Sequence, residues 1–380
     1  MRTDVAIVGA GPAGGQAARY LAARGLQATL LDMRVRIGDP VQCGEAVSEV
    51  ALRENALALG DWVRSRVDGV TAHVPDGNPG YLPAPGYCVD RGEFDRALVE
   101  RSTSNGAQLL TNCHVRSVNP NGSVVRLQTS KGDIEAVFVI AADGPWSPTA
   151  RSLGLVTRWH CNVGLQYKFR AEGVDIDSNW LHLFLAQRYG GGYAWIFPRG
   201  SEVSIGVDVP AQPRRQLAAF CRSLGVSLQD RHETNGGRIP TRVHLERLGI
   251  RNVLIAGDAA GATNPIFGGG IHAALSTGRM AAETILERWE DGREGVANRY
   301  QNRVRGSPFF HPALPAVADL LAKTTDDEFT LAAKVYRRRH RWRSLLQLLP
   351  EVLRRPRSMG SVVRLPLLRD ALEVTARYGW

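Results

Sequence analysis

The chain has 380 residues, enough to bury a sizeable core and to form two or three structural domains. Its 44% apolar and 22% charged content is ordinary for a globular protein, and no apolar run approaches the roughly 18 residues that cross a bilayer. Five scattered cysteines (Cys43, Cys88, Cys113, Cys161 and Cys221) contain no CxxC pair, which points to a reducing cytoplasm and away from a zinc or iron–sulfur centre.

The first apolar run, Val5 to Val8, begins almost at Met1, so no secretory leader is expected. It predicts a strand, followed by a glycine turn, a helix from Gly14 to Arg24 stopped by Gly25, and a second strand over Ala28–Leu31. A helical stretch is expected around Ala46–Leu59, then an irregular Pro/Gly-rich segment from Pro75 to Gly86. Phe94–Asn105 reads as a helix stopped by Gly106, and Val115–Leu127 and Ile134–Ile140 as strands of antiparallel style. Cys161–Val209 alternates β-branched and aromatic residues with polar ones and predicts a sheet. A buried strand at Val253–Ala256 and a long helix over Gly270–Trp289 follow, and the chain after Ser307 reads as helical. Between Lys334 and Arg357 nine Lys/Arg stand against one acid, Glu351, so this stretch carries +8 of the net charge of +10. Trp342, Leu345, Leu346, Leu349 and Leu353 recur there at helical spacing. The segment suits an anionic membrane surface or a solvated basic face, and no nucleic-acid recognition module accompanies it.

Three glycine-containing segments carry chemistry. The first, Gly9-Ala10-Gly11-Pro12-Ala13-Gly14, is a GxGxxG between strand and helix. Gly9 permits the tight turn, Gly11 the approach of a pyrophosphate, and Gly14 close helix–strand packing, while the helix N-terminus offers free N–H groups. Asp32 ends the second strand, where a carboxylate accepts hydrogen bonds from ribose hydroxyls. The segment predicts nucleotide binding without separating FAD from NAD. The second, Ala141-Ala142-Asp143-Gly144-Pro145 with Ser147 and Arg151, is by itself also an ordinary Asp-Gly turn. The third is Ala256-Gly257-Asp258-Ala259-Ala260-Gly261, followed by Pro265 and Gly268-Gly269-Gly270-Ile271. Asp258 ends a buried strand and needs a polar partner, which a ribityl hydroxyl supplies. The glycine run opens a helix whose N–H groups suit the N1/O2 edge of a reduced flavin.

In this order, over about residues 3–290, the segments resemble the FAD-dependent superfamily that includes 4-hydroxybenzoate hydroxylase. The resemblance implies FAD, with Gly9, Gly11, Ala13, Gly14 and Asp32 on its ADP half and Asp143 and Gly144 near its pyrophosphate. Asp258, Gly269, Gly270 and Ile271 would hold the ribityl chain and ring, with Val115 a further contact. Arg91, in Val89-Asp90-Arg91-Gly92-Glu93-Phe94-Asp95, matches an arginine motif of that family, although an ion pair with Glu93 or Asp95 is its simpler reading.

Two more motifs, Pro40-Val41-Gln42-Cys43-Gly44-Glu45-Ala46-Val47-Ser48 and Gly191-Gly192-Tyr193-Ala194-Trp195-Ile196-Phe197-Pro198, resemble the geranylgeranyl reductase family, particularly its archaeal type. That resemblance implies saturation of isoprenoid C=C bonds by reduced FAD. Cys43 either donates the proton or packs against the flavin, Glu45 is the other candidate acid, and Gly44 and Ala46 join the cofactor contacts. Ala46 departs from the glycine commoner in that family, which puts the loop backbone in question. Tyr193, Trp195 and Phe197 would line one wall of a lipid tunnel, with Pro198 beside them, and sheet core is the competing reading. NAD(P)H and ferredoxin are both compatible as electron donors, and no metal is expected. An aromatic or polyketide monooxygenase is the alternative activity, and a non-catalytic prenyl carrier the third.

The expected class is α/β. A Rossmann-like FAD-binding domain is assembled from residues 1–70, 88–158 and 250–300, and an antiparallel-sheet substrate domain from 71–87 and 159–249. Residues 301–380 form a basic helical region. A cytoplasmic protein, in peripheral contact with the inner face of the cell membrane through that basic region, completes the expectation.

Overall fold

The computed structural model describes residues 1–291 and 294–338, together with 371, 374, 375 and 378. Strand β1 (Arg2–Val8) is apolar without alternation because it is covered on both faces. It turns through the glycines into α1 (Pro12–Ala22) and returns as β2 (Ala28–Leu31), parallel to β1 with Val5 opposite Ala28. Then follow β3 (Ala46–Ser48), α2 (Glu49–Glu54), β4 (Val63–His73) and β5 (Gly80–Val89). Next come α3 (Arg91–Ser104), β6 (Gln108–Leu110), β7 (Val115–Asn121), β8 (Val124–Thr129) and β9 (Gly132–Ala141). After α4 (Pro148–Ser152) and β10 (Val156–Arg158) the middle strands are β11 (Asn162–Arg170), β12 (Trp180–Phe184), β13 (Tyr193–Arg199) and β14 (Glu202–Val209). Helix α5 (Pro213–Ser223), β15 (Glu233–Ile239), β16 (His244–Leu245), β17 (Gly249–Ile250) and β18 (Val253–Ile255) lead into α6 (Ile271–Asp291). Helices α7 (Val296–Arg305), α8 (Ala313–Leu321) and α9 (Asp326–Arg338) close the described chain.

The strands form two large sheets. The first runs β17-β18-β9-β1-β2-β6, parallel from β18 to β6, with the β7–β8 hairpin joined to β9. The second runs β15-β11-β14-β13-β12-β4-β5-β3, antiparallel apart from the β12–β4 pair. Strand β4 therefore lies whole in the second sheet, and the expected boundary at residue 70 is moved: the alternating exposed and buried residues of 63–67 pair with β5.

Two local expectations change. The helix expected over 46–59 is confined to Glu49–Glu54, capped by the Ser48 hydroxyl, because Ala46–Ser48 pairs with Cys88–Gly86 as β3. The Pro/Gly-rich 80–86 stretch is a strand. Pro83 stands opposite Gly69, where a register shift interrupts the ladder and no proline N–H is needed.

The main core lies between the parallel sheet and its helices. Helices α1 and α6 touch backbone to backbone: a Cβ on Gly278 would lie 2.1 Å from Ala13 O. In the second sheet one face, with Ala194, Ile196, Ile205 and Val207, packs on Leu217, Phe220 and Cys221 of α5. Its other face turns toward the loop at residues 40–45.

Candidate active site

The crevice at the carboxyl ends of β1, β2, β9 and β18 is built from short range outward. Gly9 has φ +98°, and a Cβ there would lie 2.2 Å from Ala142 O, so this turn can be made only by glycine. Gly14 is equally constrained, its Cβ position 1.8 Å from Gly9 O. Gly11 differs: nothing in the protein comes within 4 Å of its Cβ position, and the helix it opens has no side-chain cap. Unsatisfied N–H groups at an open glycine form a seat for a phosphate. Asp32 is buried, its carboxylate held by the Ala10 N–H at 2.8 Å and the Arg34 N–H at 2.8 Å.

Asp143 accepts from Ser147 Oγ at 2.7 Å and from the Thr149 N–H at 2.9 Å, so both its oxygens serve the start of α4. Burial pushes its pKa up. Gly144, at φ +77°, turns the chain beside it. Arg151 is stacked between Trp146 and Trp159, 4.1 and 4.3 Å from the ring centroids. Asp258, half-buried at the end of β18, accepts from Thr263 Oγ1 at 2.7 Å, and burial raises its pKa. The Gly270 Cβ position lies 3.0 Å from its Oδ1. The Asn264 N–H donates to Gly269 O at 2.9 Å, folding the turn that leads into Ile271 and α6. Val115 begins β7 and packs, half-buried, on the main core.

The loop carrying Cys43 lies over the second sheet. Glu45, not Ala46, has the left-handed backbone, φ +66°, while Ala46 is already strand β3, so the alanine there brings no strain. Glu45 is 0% exposed, and its Oε2 meets Lys168 Nζ at 3.0 Å and Arg199 Nη1 at 3.2 Å. Its Oε1 accepts the Arg91 N–H at 3.2 Å. Cys43 Sγ accepts the Glu45 N–H at 3.1 Å, and Gln166 Nε2 donates to Cys43 O at 2.9 Å. Arg91 reaches Cys43 from α3 while paired with Asp95 at 3.0 Å. Burial opposes the guanidinium charge, yet Asp95 and Cys43 raise its pKa overall. This pair is largely buried, with side chains 14% and 5% exposed, so it is no surface ion pair.

Tyr193, Trp195 and Phe197 share one face of β13, consecutive ring centroids 5.8 Å apart, and a Cβ on Gly44 would lie 3.2 Å from the Phe197 ring. Gly206, opposite Trp195, leaves room for the indole, which a Cβ there would meet at 2.3 Å. Pro198 alternates to the other face, opposite Val203, and its carbonyl accepts from Ser65 Oγ at 2.6 Å. Strand register places Gln166, Lys168, Ser204, Asp208, Asn235 and Arg199 on the aromatic face. Among the described residues, six buried polar atoms there have no hydrogen-bond partner: Gln166 Oε1, Trp195 Nε1, Arg199 Nε, Ser204 Oγ, Asp208 Oδ1 and Asn235 Oδ1. Such groups are costly when unpaired and mark a face built to meet a polar ligand. Lys168, Arg199, Gln166 and Asp208 escape sequence reasoning. Their only signal is a polar or charged residue set inside an otherwise apolar strand.

These features fit FAD. The open glycine and bare helix end suit its pyrophosphate, Asp32 and Asp258 its sugar hydroxyls, and the orphaned face its ring system. The fold and site together define an FAD-dependent oxidoreductase. Residues 41–284 match the family described as FAD dependent oxidoreductase, and residues 1–69 match the Thi4 family. Digeranylgeranylglycerophospholipid reductase 1 of Methanosphaera stadtmanae is 30% identical over 87% of this chain and 87% of its own. Digeranylgeranylglycerophospholipid reductase 2 of Methanopyrus kandleri is 32% identical over 80% of this chain and 82% of its own. A solved geranylgeranyl bacteriochlorophyll reductase-like protein from Thermoplasma acidophilum superposes with TM-score 0.81 and 25% identity, covering 88% of this chain and 91% of that one. The flavin-dependent halogenase CmlS, with TM-score 0.69 and 21% identity over 88% of this chain and 70% of its own, shares the fold alone. The chain belongs to the geranylgeranyl reductase family, in the digeranylgeranylglycerophospholipid reductase group.

Proposed function

We propose that this protein saturates C=C bonds of isoprenoid chains carried on a glycerophospholipid. The observation that carries this reading is the aromatic face of β13 with the Cys43–Glu45 loop lying on it, in a chain whose relatives bear that activity in their names. Bound reduced FAD supplies a hydride to such a reaction. The chain's own residues provide the rest. Tyr193, Trp195 and Phe197 offer an apolar wall that seats a prenyl chain and excludes water. Lys168 and Arg199 lock Glu45, which fixes the loop and sets Cys43 against the site. Arg91, held by Asp95, presents a guanidinium beside Cys43. Cys43 and Gly44 contact the cofactor or the chain being reduced.

Among the described residues no helix is long and apolar enough to cross a membrane. For access to a lipid substrate we assign surface contact to the basic segment from Lys334 to Arg357, whose charge suits an anionic lipid surface. Its residues 339–357 lie outside the described ones. The test is an anaerobic single turnover of dithionite-reduced holoenzyme with a geranylgeranylated glycerophospholipid. Flavin reoxidation with a gain of one H2 per saturated bond is expected. Flavin that stays reduced over substrate of unchanged mass refutes the reading, and reoxidation only on admitting oxygen, with an oxygen atom added to an aromatic substrate, replaces it with a monooxygenase.

A further inference from the structure

Saturating an isolated alkene needs a proton as well as a hydride, and of the two acids expected from sequence Glu45 is poorly placed to give one. Both Glu45 oxygens are engaged, Oε1 by the Arg91 N–H and Oε2 by Lys168 and Arg199. Tyr193 donates its hydroxyl to Phe267 O at 2.5 Å, and burial, with Asp208 and Cys43 nearby, holds its pKa well above the ordinary value. Cys43 uses its sulfur as an acceptor for the Glu45 N–H.

Asp208 is different. It ends the aromatic face, directly opposite Tyr193 on β13 and Gly164 on β11, and is 1% exposed. Its Oδ1 has no partner among the described residues. Its Oδ2 lies 3.4 Å from the Cβ position of Gly268, so the carboxyl abuts the glycine turn assigned above to the flavin. The absence of a side chain at Gly268 keeps bulk away from it, and the ladder partner of Asp208 on β11 is Gly164. Asn162 of β11 hydrogen-bonds to it, Tyr193 faces it from β13, and Cys43 lies beyond Tyr193. No cation among the described residues offsets its burial, which pushes its pKa up to about 6 against the hydrogen bond from Asn162. A buried carboxyl that holds its proton up to about pH 6, with one oxygen left without a partner among the described residues, is suited to donate that proton to a bound acceptor.

We propose that Asp208 delivers the proton in the reduction assigned above, an inference that rests on that reading. The C=C π bond breaks, one carbon takes the hydride and the other the proton of the Asp208 carboxyl. The reduced flavin is oxidised by two electrons, and the carboxylate left behind regains its proton from solvent before the next turnover.

The experiment compares wild-type holoenzyme with Asp208→Asn, a near-isosteric change. FAD content and the rate of reduction by dithionite are measured for both proteins, and reoxidation is compared on FAD-loaded, fully reduced enzyme. Reoxidation of the variant by a geranylgeranylated glycerophospholipid should be slower by about 100-fold or more. The wild-type rate should fall as pH rises through about 6, and the variant should lack that fall. An infrared titration of the resting holoenzyme adds a readout independent of turnover. A protonated-carboxyl band that disappears as pH rises through about 6 is expected in the wild type and missing in the variant. The proposal is overturned if the variant reoxidises within a few-fold of wild type, if it keeps the pH-dependent fall, or if the wild type shows no such band. If wild-type flavin is not reoxidised by any prenyl lipid, the functional reading itself fails and this proposal with it.

Discussion

Glu45 occupies a left-handed backbone position, unusual for a residue with a side chain, and its surroundings explain why it stays there. Lys168 and Arg199, with side chains 5% and 2% exposed, both close on its Oε2, so the loop is fastened by three buried charges. Glu45→Gln leaves Arg199 buried without a counter-charge and Lys168 with Glu233 alone, which should cost about 3 kcal/mol in urea unfolding. Lys168→Met leaves the Arg199 pair in place and should cost distinctly less. Asp208 makes the opposite forecast. Its folded pKa is raised from 3.8 to about 6, so the stability linked to its protonation is complete below the lower value and lost as pH rises through the higher one. Asp208→Asn should therefore match wild type near pH 4 and exceed it by about 3 kcal/mol above pH 7, measured by denaturation across that range. Equal stabilities at both ends would mean that the carboxyl titrates at its ordinary value.

At the scale of elements, the glycines of the first turn separate packing from binding. Gly14 is pressed against Gly9 O, whereas the Cβ position of Gly11 meets no protein atom and its φ of −76° suits any residue. Gly14→Ala should destabilise the FAD-free protein by about 1–3 kcal/mol through overpacking. Gly11→Ala should leave FAD-free unfolding unchanged and weaken FAD retention on gel filtration. This contrast also marks what was legible in the sequence. The βαβ unit was readable because β1, the glycine turn, α1 and β2 are contiguous and each agrees with its local propensity. Strand β5 was not, since Pro83 and Pro85 argue against a strand until the register shift at Gly69 is known. Lys168, Arg199 and Asp208 were hidden for a related reason. Their partners, Glu45, Tyr193 and Gly268, lie far away in sequence or across a ladder whose register no single segment encodes. Gly278 was equally silent, because a glycine inside a helix reveals nothing until α1 is seen against it.

At the scale of the whole molecule, the proposed flavin site draws on residues 9–14, 32, 143–144, 258 and 268–271, with residues 193–208 of the second sheet assigned to its other side. Segments so far apart in the chain are stabilised together by whatever binds across them. The end of the chain is tied to the same region: Thr375 accepts from Asn264 Nδ2 at 3.2 Å, and Ala371 packs with Ile266 and Val317. The segment from Lys334 to Arg357 carries +8 of the net charge of +10. If that charge docks the enzyme on lipid, binding to vesicles containing anionic lipid should exceed binding to zwitterionic vesicles and fall with added salt. Replacing Arg337, Arg338, Arg339 and Arg341 by Gln should then weaken sedimentation with anionic vesicles by about 1 kcal/mol per residue, while leaving turnover of detergent-dispersed substrate intact. Unchanged sedimentation would assign the segment to a solvated face and leave delivery of the lipid to another surface.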